Sequence, residues 1–135
     1  MIFVDASVFY ARIARDDEHH EEADHFFGGV RSPRLTTTAV VYETHALMLR
    51  VSRMATSAHA ARQFLAELDA GLARVVHVTR EDHRRAVTLV RDHRDKSYSL
   101  CDAVSFVVME RLRIRRAASF DRHFRQFGRF DVWPL

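Results

Sequence analysis

Four carboxylates occupy positions where their chemistry is hard to explain as surface decoration: Asp5, Glu43, Asp102 and Asp121. Asp5 closes the apolar run Ile2-Phe3-Val4, and Asp121 follows Ala117-Ala118-Ser119-Phe120. An aspartate at such a point has an ordinary explanation as the cap of the next helix or turn, where it accepts unpaired N–H groups. Glu43 resists that explanation. Its helical neighbours three and four away are Ala39, Val40, Ala46 and Leu47, all apolar, and Val40 is no capping-box partner for it. A carboxylate on such a face is a ligand or the buried partner of a base. Asp102 admits two readings. Ser99-x-x-Asp102 has the capping-box pattern, yet the helix it opens is apolar nearly all round, which puts the acid near the core.

Gathered at one place, the four would repel one another. Two like charges ~4 Å apart cost ~4 kcal/mol at an effective dielectric near 20. Protons, arginines or a cation must relieve that repulsion. A hard divalent ion, Mg²⁺ or Mn²⁺, prefers such oxygen ligands, and it can activate a water and stabilise charge on a phosphodiester. Ser7 and Ser119, each two residues from an aspartate, could orient a ligand or touch a phosphate, with a turn or cap hydrogen bond as the everyday alternative.

The elements that would position these groups alternate between strand and helix. Ile2–Val4, Leu35–Thr37, Val75–Val78 and Ala117–Phe120 read as strands, and Phe130–Trp133 as a fifth at an edge. Helices are expected over Ser7–Ala14, His19–Val30, Val40–Arg53 (capped by Thr38), Ser57–Ala70 and Leu100–Leu112, with a short turn or helix over Asp121–Phe127. In the helix over Ser57–Ala70, Ala61, Phe64, Leu65, Leu68 and Leu72 form the apolar stripe, and Gly71 suits its end. Thr79-x-x-Asp82 predicts a capping box for a helix to about His93. Such alternation predicts an α/β fold, a three-layer α/β/α sandwich around a mostly parallel sheet of four to five strands. Sites in such sheets form beyond the carboxyl ends of the strands, where Asp5 and Asp121 would both emerge.

The 135 residues suit one domain over 1–135, with 47% hydrophobic residues for its core and only four glycines and two prolines. A lone cysteine, Cys101, excludes an internal disulfide, and Asp5 interrupts the start where a signal peptide would be apolar. A soluble, cytoplasmic protein with no membrane span is therefore expected. The net charge is +3, and every basic residue but Lys96 is arginine. Arginine forks hold phosphates and stack on bases, which suits nucleic acid; the scatter of these arginines equally suits a genome rich in arginine codons.

At these residues the chain resembles the PIN-domain family, and within it the VapC-type toxins. The matching pieces are Val4-Asp5-Ala6-Ser7, Glu43, Ser99-Leu100-Cys101-Asp102-Ala103 and Ser119-Phe120-Asp121-Arg122-His123-Phe124, in order over nearly the whole length. The resemblance implies a PIN-like sandwich in which Asp5, Glu43, Asp102 and Asp121 bind Mg²⁺ or Mn²⁺. It also implies cleavage of single-stranded or loop regions of RNA, a homodimer, and inhibition by a cognate VapB-type antitoxin. Arg12 or Arg122 would hold the RNA backbone. Cys101 departs from the hydroxyl residue common beside the third acid.

Rival classes meet specific obstacles. Nine histidines invite zinc, and His19, His20 and His25 share a helix, but there is no His-Glu-x-x-His and no cysteine pair. A phosphotransfer receiver wants an aspartate after its third strand, where Thr79-Arg80 stand, and an Asp-x-Asp phosphatase wants an acid in place of Ser7. The remaining alternative is a non-catalytic PIN-like module that binds RNA or protein, although idle buried carboxylates destabilise a fold.

Overall fold

The computed structural model describes residues 1–51 and 56–134. The elements run β1 (Ile2–Val4), α1 (Ala6–Ile13), α2 (His20–Gly29), β2 (Arg34–Thr37), α3 (Thr38–Val51), α4 (Thr56–Asp69), β3 (Arg74–Val76), α5 (Arg80–Asp92), α6 (Leu100–Arg111), β4 (Arg116–Ala118), α7 (Arg122–Phe127) and β5 (Asp131–Trp133). All five strands pair parallel, in the order β3-β2-β1-β4-β5. The sheet is therefore wholly parallel, with both Ile2–Val4 faces sealed, as a central strand of such a sheet requires.

The order of the strands decides where a site can form. The chain steps outward from β1 through β2 to β3, then crosses back to lay β4 on the other side of β1. With right-handed crossovers, that reversal puts α5–α7 on the opposite face from α1–α4. The connections leaving β1 and β4 then diverge, opening a crevice beyond their carboxyl ends. Asp5 leaves β1 at that crevice and Ser119 leaves β4 there, joined at their base by Asp5 N–H donating to Ala118 O at 3.0 Å.

Helix α6 is the interior helix its composition predicts, with every residue from Asp102 to Met109 buried. Its Phe106 meets Phe124 edge to face at 5.0 Å and stacks on Phe127 at 4.3 Å, tying α7 to the core. On α4, Ala61, Phe64 and Leu68 turn inward as expected, but Leu65 is 38% exposed and leaves the stripe. That helix ends in a Schellman motif: Gly71 takes φ +99°, Leu72 N–H reaches Glu67 O and Gly71 N–H reaches Leu68 O. The start of α3 also differs from expectation. Thr37 Oγ1, not that of Thr38, accepts the Val40 N–H at 3.2 Å, while Thr38 Oγ1 accepts Val78 N–H and ties the end of β3 to α3. The expected helix end at Arg53 lies outside the described residues. Strand β3 stops at Val76, and β4 at Ala118 rather than Phe120, because the chain must turn early to present Ser119 and cap α7. No helix among the described residues is long and apolar enough to cross a membrane.

The capping box at Thr79 and Asp82 is present, and it carries a second load. Asp82, 1% exposed, also receives both arms of Arg111 at 2.8 Å, clasping α5 to the end of α6. Burial alone would raise the Asp82 carboxyl; Arg111 and the Thr79 contacts outweigh it and hold the acid below its ordinary range. A folded-state pKa below the unfolded one stabilises at neutral pH and loses that contribution as pH falls through the folded value. Arg111→Ala is expected to cost about 3 kcal/mol at pH 7, because it strands a buried carboxylate, and less at strongly acid pH. Urea denaturation at the two pH values measures this, and equal losses at both would exclude the ion pair as the cause.

Candidate active site at the switch point

Asp5 stands at the cap position of α1, but its side chain caps nothing. Its Oδ2 instead accepts from Ser119 Oγ at 2.9 Å and Ser7 Oγ at 3.0 Å. An ionised carboxylate can only accept, so both hydroxyl protons point to Asp5, and each hydroxyl oxygen is left to accept in turn. Phe120 N–H donates to Ser7 Oγ, and Asp121 N–H donates to Ser119 Oγ, each at 3.0 Å. The capping explanation therefore fails for Asp5, and the two serines grip it from opposite ends of the sequence. Burial, the largest influence, pushes the Asp5 carboxyl up to about 7; the Ser119 hydroxyl opposes this, and the charge of Asp102 adds to the rise.

Asp102 is both a capping residue and close to the core, and Asp121 takes its capping role. Asp102, 6% exposed, completes the capping box with Ser99: its Oδ2 accepts Ser99 N–H at 3.0 Å while Ser99 Oγ accepts Asp102 N–H. Asp121 caps α7 through His123 N–H, donated to Oδ1 at 2.9 Å. His123 then turns its ring back, and Nδ1 donates to Asp102 Oδ2 at 2.7 Å. One oxygen each of Asp102 and Asp121 and one His123 ring nitrogen lie within 4.8 Å of one another, so the two carboxylates are near enough to share a cation while the ring, as a donor, holds them.

Glu43 requires a correction. It is exposed, not a buried partner of a base. The buried stripe of α3 is Val40, Thr44 and Met48, and Glu43 sits one residue, about 100° of helical turn, away from it. Its apolar neighbours are themselves divided, with Val40 buried and Ala46 exposed. Glu43 nevertheless reaches the other acids through Cys101. Burial first, then the hydrogen bond and charge of Glu43, then the charges of Asp5 and Asp102 hold the Cys101 thiol far above its ordinary range. The thiol thus stays protonated beside the Glu43 carboxylate, in the place where a hydroxyl residue is common. Cys101 lies among Asp5, Glu43 and Asp102, and His123 between Asp102 and Asp121.

Among the described residues no arginine or lysine pairs with any of the four acids; the cation partners present are engaged elsewhere. Arg12 is one of these, bound to Glu67 at 2.5 Å and lying over Phe27, so it is not free to hold a phosphate. Carboxylate oxygens dominate the donor set, and such sets select hard divalent ions.

A model of the PIN domain matches residues 2–129. The chain belongs to the PIN-domain family. Its curated relatives include the 23S rRNA-specific endonuclease VapC20 of Mycobacterium tuberculosis, 32% identical over 99% of both chains. The crystal structure of that VapC20, described as a Sarcin-Ricin loop cleaving toxin, superposes with a TM-score of 0.89 at 30% identity, covering 98% of each chain. FitAcB from Neisseria gonorrhoeae (TM-score 0.73, 12% identity, all of both chains) and a toxin–antitoxin complex from Klebsiella pneumoniae (0.63, 11%, 90% and 88%) share the fold.

The motifs of this PIN domain give His123 no role of its own, yet its ring lies between Asp102 and Asp121. The usable signal was its place two after Asp121, inside the first turn of a short helix that the aspartate caps, where its ring can swing back over the crevice.

Proposed function

We propose that this PIN domain, acting as one unit over residues 1–135, is a metal-dependent endoribonuclease and the toxin of a VapBC-type pair. The observation that carries this reading is Asp5, buried without a cationic partner, released from capping and held by two serines at the switch point. The likeness to VapC20 over the full length of both chains supports the RNA substrate, and a loop of ribosomal RNA is the first substrate to try.

In this reading Asp5, Glu43, Asp102 and Asp121 hold Mg²⁺ or Mn²⁺. A bound ion of this kind supplies Lewis acidity that activates water and neutralises charge developing on the phosphodiester. The chain's own residues do the positioning. Ser7 and Ser119 fix Asp5 Oδ2, Ser99 fixes Asp102, and α7 presents Asp121. Arg122, exposed beside Asp121, would hold the RNA backbone.

The partners follow the family resemblance: a second copy, and a VapB-type antitoxin that blocks the acidic crevice in the cytoplasm. Exposed apolar side chains on α3 and α4 (Tyr42, Leu49 and Leu65) provide surface that a partner would cover.

The test is cleavage of total RNA and of intact ribosomes by the antitoxin-free protein, with Mg²⁺ or Mn²⁺ against EDTA, and with the cut ends mapped. Cuts at defined positions that require the metal are expected. Metal binding with no cutting of either substrate would favour a module that binds RNA or protein without cleaving it.

A further inference from the structure

The two protein donors to Asp102 fall on the same oxygen. Ser99 N–H and His123 Nδ1 both reach Oδ2, at 3.0 and 2.7 Å, and none among the described residues reaches Oδ1. No buried side-chain oxygen among those residues lacks a hydrogen-bond partner, so Oδ1 is open to solvent rather than sealed in the core. The carboxylate is thus held by one edge with the other left free.

His123 is itself held in place. Ser97 Oγ lies 3.3 Å from Nε2, where its hydroxyl can donate and so leave the proton on Nδ1. Tyr98 meets the ring edge to face at 5.5 Å. Asp121 Oδ1 accepts the His123 backbone N–H and lies 3.4 Å from Nδ1. The ring is 14% exposed, wedged between the acid of α6 and the acid that caps α7. A histidine serving only as surface would not need three restraints on one ring.

We propose that His123 is a positioning residue for the acidic site: its Nδ1–H fixes Asp102 Oδ2 so that Oδ1 is presented to a divalent cation. This rests on the metal-site reading given above. Carboxylates that bind metals depend on such outer hydrogen bonds, whose loss typically weakens metal affinity 10–100-fold. Through the same residue the α7 cap and the α6 cap are set relative to one another, so Asp121 and Asp102 are placed together.

The test is Mn²⁺ binding alone, followed by calorimetry and by electron paramagnetic resonance of free Mn²⁺, in the full chain at one neutral pH. The parent and Asp5→Asn, His123→Ala, His123→Gln and His123→Asn are compared. Asparagine can place its amide N–H where Nδ1 stands, whereas glutamine places its own near Nε2. The expected pattern is binding weakened about 10–100-fold by His123→Ala and His123→Gln, and restored to within about threefold of the parent by His123→Asn. Should the alanine variant fail to fold, the glutamine and asparagine variants decide between them. If His123→Ala binds as the parent does, or His123→Asn binds as weakly as His123→Gln, the positioning role is overturned while binding lost in Asp5→Asn keeps the metal site standing. If the parent binds no Mn²⁺, both are overturned.

Discussion

Asp5→Asn is expected to lower metal-dependent RNA cleavage on the order of a thousandfold or more while leaving the fold intact. The substitution keeps volume and shape, and the asparagine carbonyl oxygen can still accept the Ser7 and Ser119 hydroxyls that grip Asp5 Oδ2. What it removes is a negative charge at a buried acid that the chain holds free of any capping duty. The measurement is the initial rate at a mapped cleavage position with saturating Mn²⁺, beside circular dichroism of both proteins. A variant retaining more than about a tenth of the parental rate would take Asp5 out of the catalytic machinery.

The same substitution is expected to stabilise the metal-free protein at neutral pH. Burial raises the Asp5 carboxyl from 3.8 to about 7 in the folded state. A raised folded pKa means that the folded chain holds this proton more tightly than the unfolded chain does. The contribution to stability is therefore fully present below about pH 4 and is lost as pH rises towards 7. The loss amounts to about 4 kcal/mol at most. An uncharged amide carries no such penalty, so in EDTA at pH 8 Asp5→Asn should exceed the parent by up to that amount, with the gap closing near pH 4. Adding Mg²⁺ or Mn²⁺ should stabilise the parent and not the variant, since only a site that binds the ion gains from it. Denaturant titrations at both pH values, with and without metal, read all of this. Equal stability of the two proteins at pH 8 in EDTA would mean that Asp5 carries no buried charge.

The two predictions describe one trade. If both hold, the buried charge that destabilises the metal-free fold is the same charge that favours an ion there.

The parts of this site that were legible in the sequence are those governed by local rules. The Asp82 and Asp102 capping boxes follow from three-residue spacing, and Asp5 at the end of an apolar triplet follows from strand length. What local rules could not settle was direction. Glu43 has apolar neighbours on both sides of its helix turn, but which face of α3 is buried depends on what lies across from it, and the answer is the Val40–Thr44–Met48 stripe. Leu65 misled for the same reason: it belongs to the apolar set by type and to the surface by angle. The roles of Ser7 and Ser119 were beyond spacing altogether, since each closes a hydrogen-bond circuit through a segment more than a hundred residues away. His123 required knowing that α7 turns its first residues towards the start of α6.

The Ser119–Asp5 bond spans 114 positions. Proteins emerge from the ribosome amino end first and fold as they do so. A nascent chain therefore carries Asp5 and Glu43 well before β4 is present to complete them. The acidic crevice is complete only once Ser119 has been made, so a nascent chain that has not yet reached β4 lacks it.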